Sequence, residues 1–299
     1  MRLFEFKKQR TRNLFWGLFF VSPWIFHLFA FLVYPIFASL YFSFTDFNML
    51  LYKGDWIGLG NYRELFEGDP MFFISMRNTL WYSFLALSIG VTVDIIAALL
   101  LNMKVWGLAA YRTILFLPAM VPGVAAAMTW VWILNPKHGL LNAMLASIGI
   151  DGPYWLASPR TAMISIVMVT TWASGQMILI YLAGLQDIPT HLYEAAEIDG
   201  ANAWHRMRYV TLPLLTPQVL FNLVMGSIGT LQEFARPYVM TGGGPANSTY
   251  TYGMYIFHRA FQAMRMGLAS SAAWMLFVVV LILTIIILRS SRRWVVYER

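Results

Sequence analysis

The sequence predicts an all-α membrane protein in which six transmembrane helices are connected by loops, the largest of which is a pair of short helices. The first observation is composition, because 59% of the 299 residues are hydrophobic and only 12% are charged, about half the charged share of ordinary soluble domains. The second is a mean hydropathy of +0.61. The third is that charges cluster between long apolar stretches. These features exclude a cytosolic enzyme of ordinary composition.

The predicted spans are six stretches that lack Asp, Glu, Lys and Arg, apart from Asp94 in the second. A helix needs about 20 apolar residues to cross a bilayer, and in hydrocarbon the backbone must satisfy its own hydrogen bonds. Small residues four positions apart, Ala86 with Gly90 and Gly123 with Ala127, predict close packing of helices. The stretches run over 13–45, 78–103, 113–136, 161–186, 209–232 and 266–288.

The placement of basic residues predicts the orientation. With a cytoplasmic N-terminus, the inner segments carry 13 Lys and Arg and the longer outer segments carry 8. Positive charge concentrates on the cytoplasmic side, so we expect a multi-pass plasma (inner) membrane protein with both termini in the cytoplasm. The net charge of +7 then reflects topology, and no nucleic-acid partner is expected. The predicted organisation is a tail (1–13), a six-helix domain (14–288) that includes the inner loop 187–214, and a second tail (289–299).

The sequence lacks the common catalytic motifs. It contains no G-x-x-x-x-G-K-[ST], no H-E-x-x-H, no G-x-S-x-G and no cysteine, which are the patterns of nucleotide binding, zinc hydrolysis, serine nucleophiles and thiol chemistry. We therefore expect no enzymatic activity, cofactor or metal on this chain, and if the protein moves a solute, we expect the energy to come from another subunit.

Polar and aromatic residues inside the spans are candidates for a solute path. Asp94 lies deep in the second span, where a charge is costly unless it is paired, protonated or facing water. Either an interhelical hydrogen bond or a place in the path lining would account for it. Glu233 could line the path or be solvated at the outer end of the fifth span. The other candidates are Trp172, Gln176 and Tyr238.

The inner loop 187–214 has the pattern of two short helices. Thr190 is predicted as the N-cap of the first, and Gly200 suits its end. The second helix is predicted over 201–209, and Leu212 with Pro213 should stop it. The first helix offers a thin apolar face suited to a groove in a partner, formed by Leu192, Ala195, Ala196 and Ile198.

A glycine run follows the fifth span. Three consecutive glycines from Gly242 permit positive φ, and Pro245 fixes the backbone after them. This pattern predicts a tight external turn.

The inner loop resembles the EAA loop of permease subunits of binding-protein-dependent ABC importers. The resemblance rests on a triplet, a glycine and a Leu-Pro pair at fixed offsets, with Val210 where the pattern usually has Ile. The matching residues are Glu194, Ala195, Ala196, Gly200, Leu212 and Pro213.

Further segments of the sequence resemble the permeases for oligosaccharides and glycerol phosphate. These segments extend from about the second span to the C-terminus. The matching segments are 116–118, Pro122, Trp132, 135–136, 139–142, 182–189, 192–196, 198–201 and 241–249.

The resemblance implies a fold like that of type I ABC importer permeases and a coupling role for the inner loop, which would seat in an ATPase subunit. It also implies three kinds of protein partner: a second related permease, two ABC ATPases that bind ATP and Mg, and an extracytoplasmic sugar-binding protein. The implied substrate is a sugar, and the protein itself would be surrounded by membrane lipid. Two alternatives remain open on the residues alone. One is a membrane-embedded glycan or lipid transferase that uses Asp94 and a histidine; the other is a secondary transporter, which would need coupling-ion acids and repeated halves.

Overall fold

The structure is a computed structural model that describes residues 2–103 and 105–296, without the side chains of residues 2–8 and 10. The ends of both predicted tails, residue 1 and residues 297–299, lie outside the described residues. Within the described ranges the regular structure is helical, and the only β pairing consists of three isolated bridges in the segments around Thr45, Asn48 and Arg265. The predicted all-α class is confirmed.

The helices follow one another along the chain with short connections. They are α1 (Arg2–His27), which continues through a π-helical segment (Leu28–Val33) into α2 (Tyr34–Ser43), α3 (Gly60–Glu67), α4 (Pro70–Asn102), α5 (Leu108–Met120), α6 (Gly123–Ile133), α7 (Leu140–Ser147), α8 (Ala162–Trp172), α9 (Gly175–Asp187), α10 (Thr190–Ile198), α11 (Ala203–Arg206), a π-helical segment (Met207–Thr211), α12 (Leu212–Leu214), α13 (Thr216–Leu231), α14 (Ala235–Thr241), α15 (Tyr252–Phe257), a π-helical segment (His258–Gln262) and α16 (Met266–Ser291).

The six predicted spans correspond to three long helices and three bent pairs. Among the described residues, the stretches Thr11–Ser43, Pro70–Asn102 and Met266–Ser291 are each long and apolar enough to cross a membrane. The third, fourth and fifth predicted spans are instead broken, with bends of 105° between α5 and α6, 50° between α8 and α9, and 56° where α13 begins. A hydropathy profile reports how apolar a stretch of sequence is and not the direction of the helix axis, so it did not predict these bends.

The chain divides into two compact units, the first formed by Met1–Gly68 and His258–Trp274. Its loop after α2 is fastened to α3, because the Asn61 amide donates to the carbonyl oxygens of Ser43 (2.9 Å) and Thr45 (2.8 Å). Arg265 adds a bidentate pair with Glu64, with both N···O distances 2.5 Å. The sequence-based division into two tails and one domain stays a prediction.

The second unit comprises Asp69–Phe257 and Met275–Arg299. Its long helix α4 packs against α8, α9, α13 and α15. One buried cluster centres on Tyr82 and Ile166, and another on Tyr181 and Leu215. The Tyr82 hydroxyl lies 2.8 Å from Thr170 Oγ1, which joins α4 to α8. Helix α4 is therefore the central element of this unit.

Two of the predicted packing glycines are not at close contacts. A Cβ atom built on Gly90 or Gly123 would have no neighbour within 4 Å, so the prediction that these glycines bring helices together is wrong. At Gly175, which the pattern did not single out, a Cβ atom would lie 2.9 Å from the backbone oxygen of Leu115. The close approach is between α5 and α9.

The glycine run forms the predicted turn. Gly242 and Gly243 adopt positive φ of 59° and 89°, and the Gly244–Pro245 peptide bond is cis. The Asn78 amide near the start of α4 donates to the carbonyl oxygens of Asn247 (2.7 Å) and Tyr250 (3.1 Å). The turn is thus held against the N-terminal part of α4.

Candidate functional site

The inner loop 187–214, called the coupling segment below, begins with α10. Pro189 is the cap residue, with φ −64° and an extended ψ of 134°. Thr190 is already the first helical residue and no side chain caps the helix, so the prediction of Thr190 as N-cap is wrong. The reason is that proline fixes φ at a helix-compatible value and supplies the boundary one residue earlier.

Gly200 ends α10 in a left-handed conformation. Its φ is +78°, its N–H donates to the Glu197 carbonyl at 3.0 Å, and the Ala201 N–H donates to the Ala196 carbonyl at 2.8 Å. This pair of bonds is the Schellman arrangement, in which glycine avoids the steric penalty of a Cβ atom. The predicted helix end is confirmed.

The second helix of the coupling segment differs from its prediction at both ends. Asn202 is its N-cap, because its side-chain oxygen accepts from the His205 N–H at 3.0 Å. The helix starts at Ala203 and runs to Leu214, so the prediction that Leu212 and Pro213 stop it is wrong. The π-helical turn 207–211 precedes Pro213, which occupies a first-turn position of α12, where a missing N–H costs little.

The coupling segment exposes apolar side chains. Ile198 is 87% exposed and Trp204 is 59% exposed, whereas Leu192 and Ala196 are half-buried and Ala195 and Glu194 are exposed. The predicted apolar face is therefore divided between the body of the protein and the surface. Exposed large apolar groups on a protruding segment are typical of a protein interface.

Two contacts hold the coupling segment in its bent form. An ion pair joins Glu197 of α10 to Arg206 of α11. The Tyr193 hydroxyl lies 3.0 Å from Thr211 Oγ1, which ties α10 to the π-helical turn. Tyr193 also packs on the cluster around Leu215. These contacts make the two helices one mechanical element attached to the base of α13.

A polar cavity of about 250 Å³ lies among α4, α8, α9 and α13, and we call it the polar cavity. Two of the five predicted path residues, Asp94 and Glu233, line it. Trp172 instead lines a second, apolar cavity of about 500 Å³. Gln176 is exposed, and the Tyr238 ring stacks on Phe234 at 4.9 Å between centroids.

Asp94 is 3% exposed and forms a short hydrogen bond between helices. The Ser174 hydroxyl donates to Asp94 Oδ1 at 2.5 Å. Ser174 lies at the break between α8 and α9. It is the residue before α9, but its side chain makes no capping hydrogen bond to that helix. The predicted interhelical hydrogen bond is therefore present, and the carboxylate also lines the polar cavity; its place in a solute path stays a prediction.

Glu233 is half-buried and paired. Its side chain is 13% exposed and forms an ion pair with Arg236, whose side chain is 22% exposed. The Arg236 N–H also donates to Glu233 Oε1 at 3.1 Å. The Glu233 side chain is therefore mostly shielded and is paired with a neighbouring cation, and its place in a solute path stays a prediction.

Several residues of the polar cavity escaped sequence reasoning. Ser174 and Arg236 belong to it, as do Thr171 Oγ1 and Arg236 Nε, which are buried and have no hydrogen-bond partner among the described residues. The short spacing between the acid Glu233 and the base Arg236 was a usable signal, because opposite charges three positions apart can pair across the turn between two helices. Nothing in the sequence pointed to Ser174.

Comparison with known proteins places the chain in a family. Residues 90–296 match the model of "Binding-protein-dependent transport system inner membrane component". The chain is 38% identical over 286 residues to "Probable ABC transporter permease protein YesP" of Bacillus subtilis, covering 94% of this chain and 92% of the relative. It is 36% identical to the lactose transport system permease protein LacF of Rhizobium radiobacter, covering 90% and 91%.

A solved structure supports the same assignment. A chain of the bacterial alginate ABC transporter, crystallised in complex with an alginate pentasaccharide-bound periplasmic protein, superposes with a TM-score of 0.81 at 27% identity over 96% of both chains. The helical fold described above is thus that of an ABC importer permease. The protein belongs to the family of inner membrane components of binding-protein-dependent transport systems.

Proposed function

We propose that this permease subunit carries a sugar across the plasma membrane, driven by ATP hydrolysis on separate subunits. The support comes from relatives that are similar over nearly the whole chain, one named for lactose transport and one from an alginate importer. ATP and Mg would bind to the partner ATPases and not to this chain. Both termini and the coupling segment would lie in the cytoplasm.

The pore would be completed by a second, related permease subunit. The polar cavity measures about 250 Å³, which is below the range of about 300 to 1,000 Å³ typical of small-molecule sites. A path wide enough for an oligosaccharide therefore needs a second wall. An extracytoplasmic binding protein would deliver the sugar, and two ATPases would dock on the two coupling segments.

The observation that carries the coupling role is the exposed, bent helix pair. Glu194, Ala195 and Ile198 face away from the body of the protein, with Ala196 beside them, and together they would seat in a groove of the ATPase. Movement of α10 would pass through the Glu197–Arg206 pair into the second helix. Closure of the ATPases would thereby shift the bundle between inward-open and outward-open populations.

Leu212 and Pro213 would transmit this movement to the membrane. They belong to the helix that ends at Leu214, just before the 56° bend where α13 starts. Helix α13 lines the polar cavity, for example with Asn222. The bend after Pro213 is therefore the joint between the coupling segment and the path.

Asp94 and Glu233 would contact the sugar, because both line the polar cavity and carboxylates accept hydrogen bonds from hydroxyl groups. Trp172, Gln176 and Tyr238 were also proposed for the path. They do not line this cavity, so their role rests on the sequence pattern alone.

Gly200→Ala tests the coupling role, with Gly149→Ala as its matched control. Both glycines have φ near +77°, namely +78° and +77°, and in both cases an added Cβ atom meets no neighbour within 4 Å. Each substitution therefore costs about 1 to 2 kcal/mol of backbone strain and nothing else. Only Gly200 lies in the coupling segment, so only Gly200→Ala should reduce ATP-dependent uptake, by about tenfold.

The measurement uses the assembled importer in proteoliposomes. Lactose, maltose and alginate oligosaccharide are first screened against the purified binding protein, and uptake is measured for the sugar that it retains. ATP hydrolysis stimulated by the binding protein is recorded in parallel. Equal uptake by the two glycine variants would overturn the coupling role, whereas a failure of all three sugars to bind would count against the substrate class alone.

A further inference from the structure

A cavity of about 610 Å³ lies towards one end of α4 and α8 in the second unit. We call it the arginine groove. It is close to the docked turn after α14, through Ser248. Its lining consists of Arg77, Asn78, Trp81, Leu85, Ile89, Pro159, Arg160, Met163, Ile164, Val167 and Ser248.

The arginine groove carries positive charge that no residue of its lining neutralises. Arg77 and Arg160 are both exposed, neither forms an ion pair with any described residue, and the lining contains no carboxylate. Ser248 Oγ is buried there without a hydrogen-bond partner among the described residues. Two guanidinium groups and a free hydroxyl are suited to a phosphate group.

The walls of the arginine groove are apolar. They include Leu85, Ile89, Ile164 and Val167. Three of these residues, Ile89, Ile164 and Val167, also line the apolar cavity of about 500 Å³, so the groove continues along the bundle between α4 and α8. A continuous apolar surface of this kind is suited to a hydrocarbon chain.

An amphiphile is the occupant that matches both the two arginines and the apolar walls of the groove. A glycan would leave its hydroxyl groups without partners along the apolar walls, and a helix of another protein would bury two arginines unless it supplied acids. Trp81 is 54% exposed beside Arg77 and stacks on Phe84 at 5.9 Å, an aromatic and basic combination typical of the membrane interface.

We propose that the arginine groove binds an anionic phospholipid, with the phosphate of the headgroup between Arg77 and Arg160 and an acyl chain along Ile89, Ile164 and Val167. In the orientation proposed above, this lipid belongs to the outer leaflet. The site is separate from the polar cavity and from the coupling segment, so lipid occupancy would stabilise the packing of α4 on α8 without taking part in coupling.

The test is native mass spectrometry of the assembled importer, purified with phosphatidylglycerol or phosphatidylcholine. The wild-type complex should retain phosphatidylglycerol in preference to phosphatidylcholine. In the double variant Arg77→Gln and Arg160→Gln, retention of phosphatidylglycerol should weaken by about fivefold for each arginine removed. Lys137→Gln is the control, because Lys137 is an exposed cation outside the groove and its removal should leave retention unchanged.

A second variant addresses the acyl chain. Ile164 is 56% exposed, and Ile164→Trp should fill the groove and reduce retention while both arginines remain. A phosphatidylglycerol with a photoreactive acyl chain should label peptides of α4 and α8 in the wild-type complex. Equal retention of the two lipids, unchanged retention in the double variant, or labelling confined to other helices would each overturn the proposal, as would cross-linking that places a protein helix or an oligosaccharide in the groove.

Discussion

At the scale of single residues, the Asp94–Ser174 hydrogen bond joins two requirements of the permease. It connects α4 to the break between α8 and α9 at 2.5 Å, and it places a carboxylate in the polar cavity. A structural role needs the bond, whereas a role toward the sugar needs the carboxylate. Two substitutions separate these roles, because each removes only one of the two features.

We predict that Asp94→Asn lowers sugar uptake more than Ser174→Ala does, and that Ser174→Ala lowers stability more. Asparagine keeps an oxygen that can accept from Ser174 and so preserves the link between helices, but it removes the charge. Ser174→Ala removes the link and leaves the carboxylate, at a cost of about 1 to 3 kcal/mol in stability. Uptake kinetics and thermal denaturation of the assembled importer measure the two effects. A fully active Asp94→Asn variant would remove Asp94 from the transport path.

The sequence could identify Asp94 but not its partner. A single acid deep in an apolar span is visible in any hydropathy profile, and its burial follows from the cost of charge in hydrocarbon. Ser174 is 80 residues away along the chain, and nothing in its local sequence marks it as the partner. By contrast, Gly200 was predictable, because the left-handed residue that ends α10 is a local feature with a local sequence signal.

At the scale of elements, the broken helices depend on a glycine at which two backbones meet. Gly175 starts α9, and a Cβ atom there would lie 2.9 Å from the Leu115 carbonyl oxygen and 3.2 Å from Phe116 Cα. Both atoms belong to the backbone of α5 and cannot rotate away. The packing of α5 against α9 therefore requires a residue without a side chain.

We predict that Gly175→Ala destabilises the protein by about 1 to 3 kcal/mol, the usual cost of overpacking. Gly123→Ala is the matched control, since Gly123 likewise starts a helix and an added methyl group there meets nothing within 4 Å. Its effect should be close to zero. Thermal unfolding of the full chain in detergent measures both. Equal shifts in the two variants would show that the contact between α5 and α9 is not tight.

A small-residue pattern within one helix does not reveal which glycines contact a neighbouring helix. Gly123 has a small residue, Ala127, four positions later, and Gly90 has Ala86 four positions earlier, as in many close helix pairs. Neither faces another backbone, and Gly90 instead opens the polar cavity. The neighbour of a glycine is decided by the bends between helices, and those bends depend on contacts distant in sequence.

At the scale of the whole molecule, the sequence predicts the order and number of the apolar spans but not the bends within them. The six uncharged stretches agree with three long helices and three bent pairs. The third predicted span, 113–136, is divided in the structure into α5 and α6, which have 13 and 11 residues. Each of these helices is shorter than the roughly 20 residues needed to cross a bilayer. Sidedness must therefore be tested directly and not inferred from span count.

The absence of cysteine from the sequence makes that test direct, because a single introduced thiol has no background. Ile198→Cys in the coupling segment and Ile148→Cys after α7 are a matched pair, with native side chains 87% and 69% exposed. We predict that a membrane-impermeant maleimide labels Ile148→Cys in intact cells and labels Ile198→Cys only after permeabilisation. Binding of the ATPase subunits should then protect Ile198→Cys and leave Ile148→Cys reactive. Labelling of Ile198→Cys from outside would reverse the proposed orientation and remove the coupling segment from reach of any cytoplasmic ATPase.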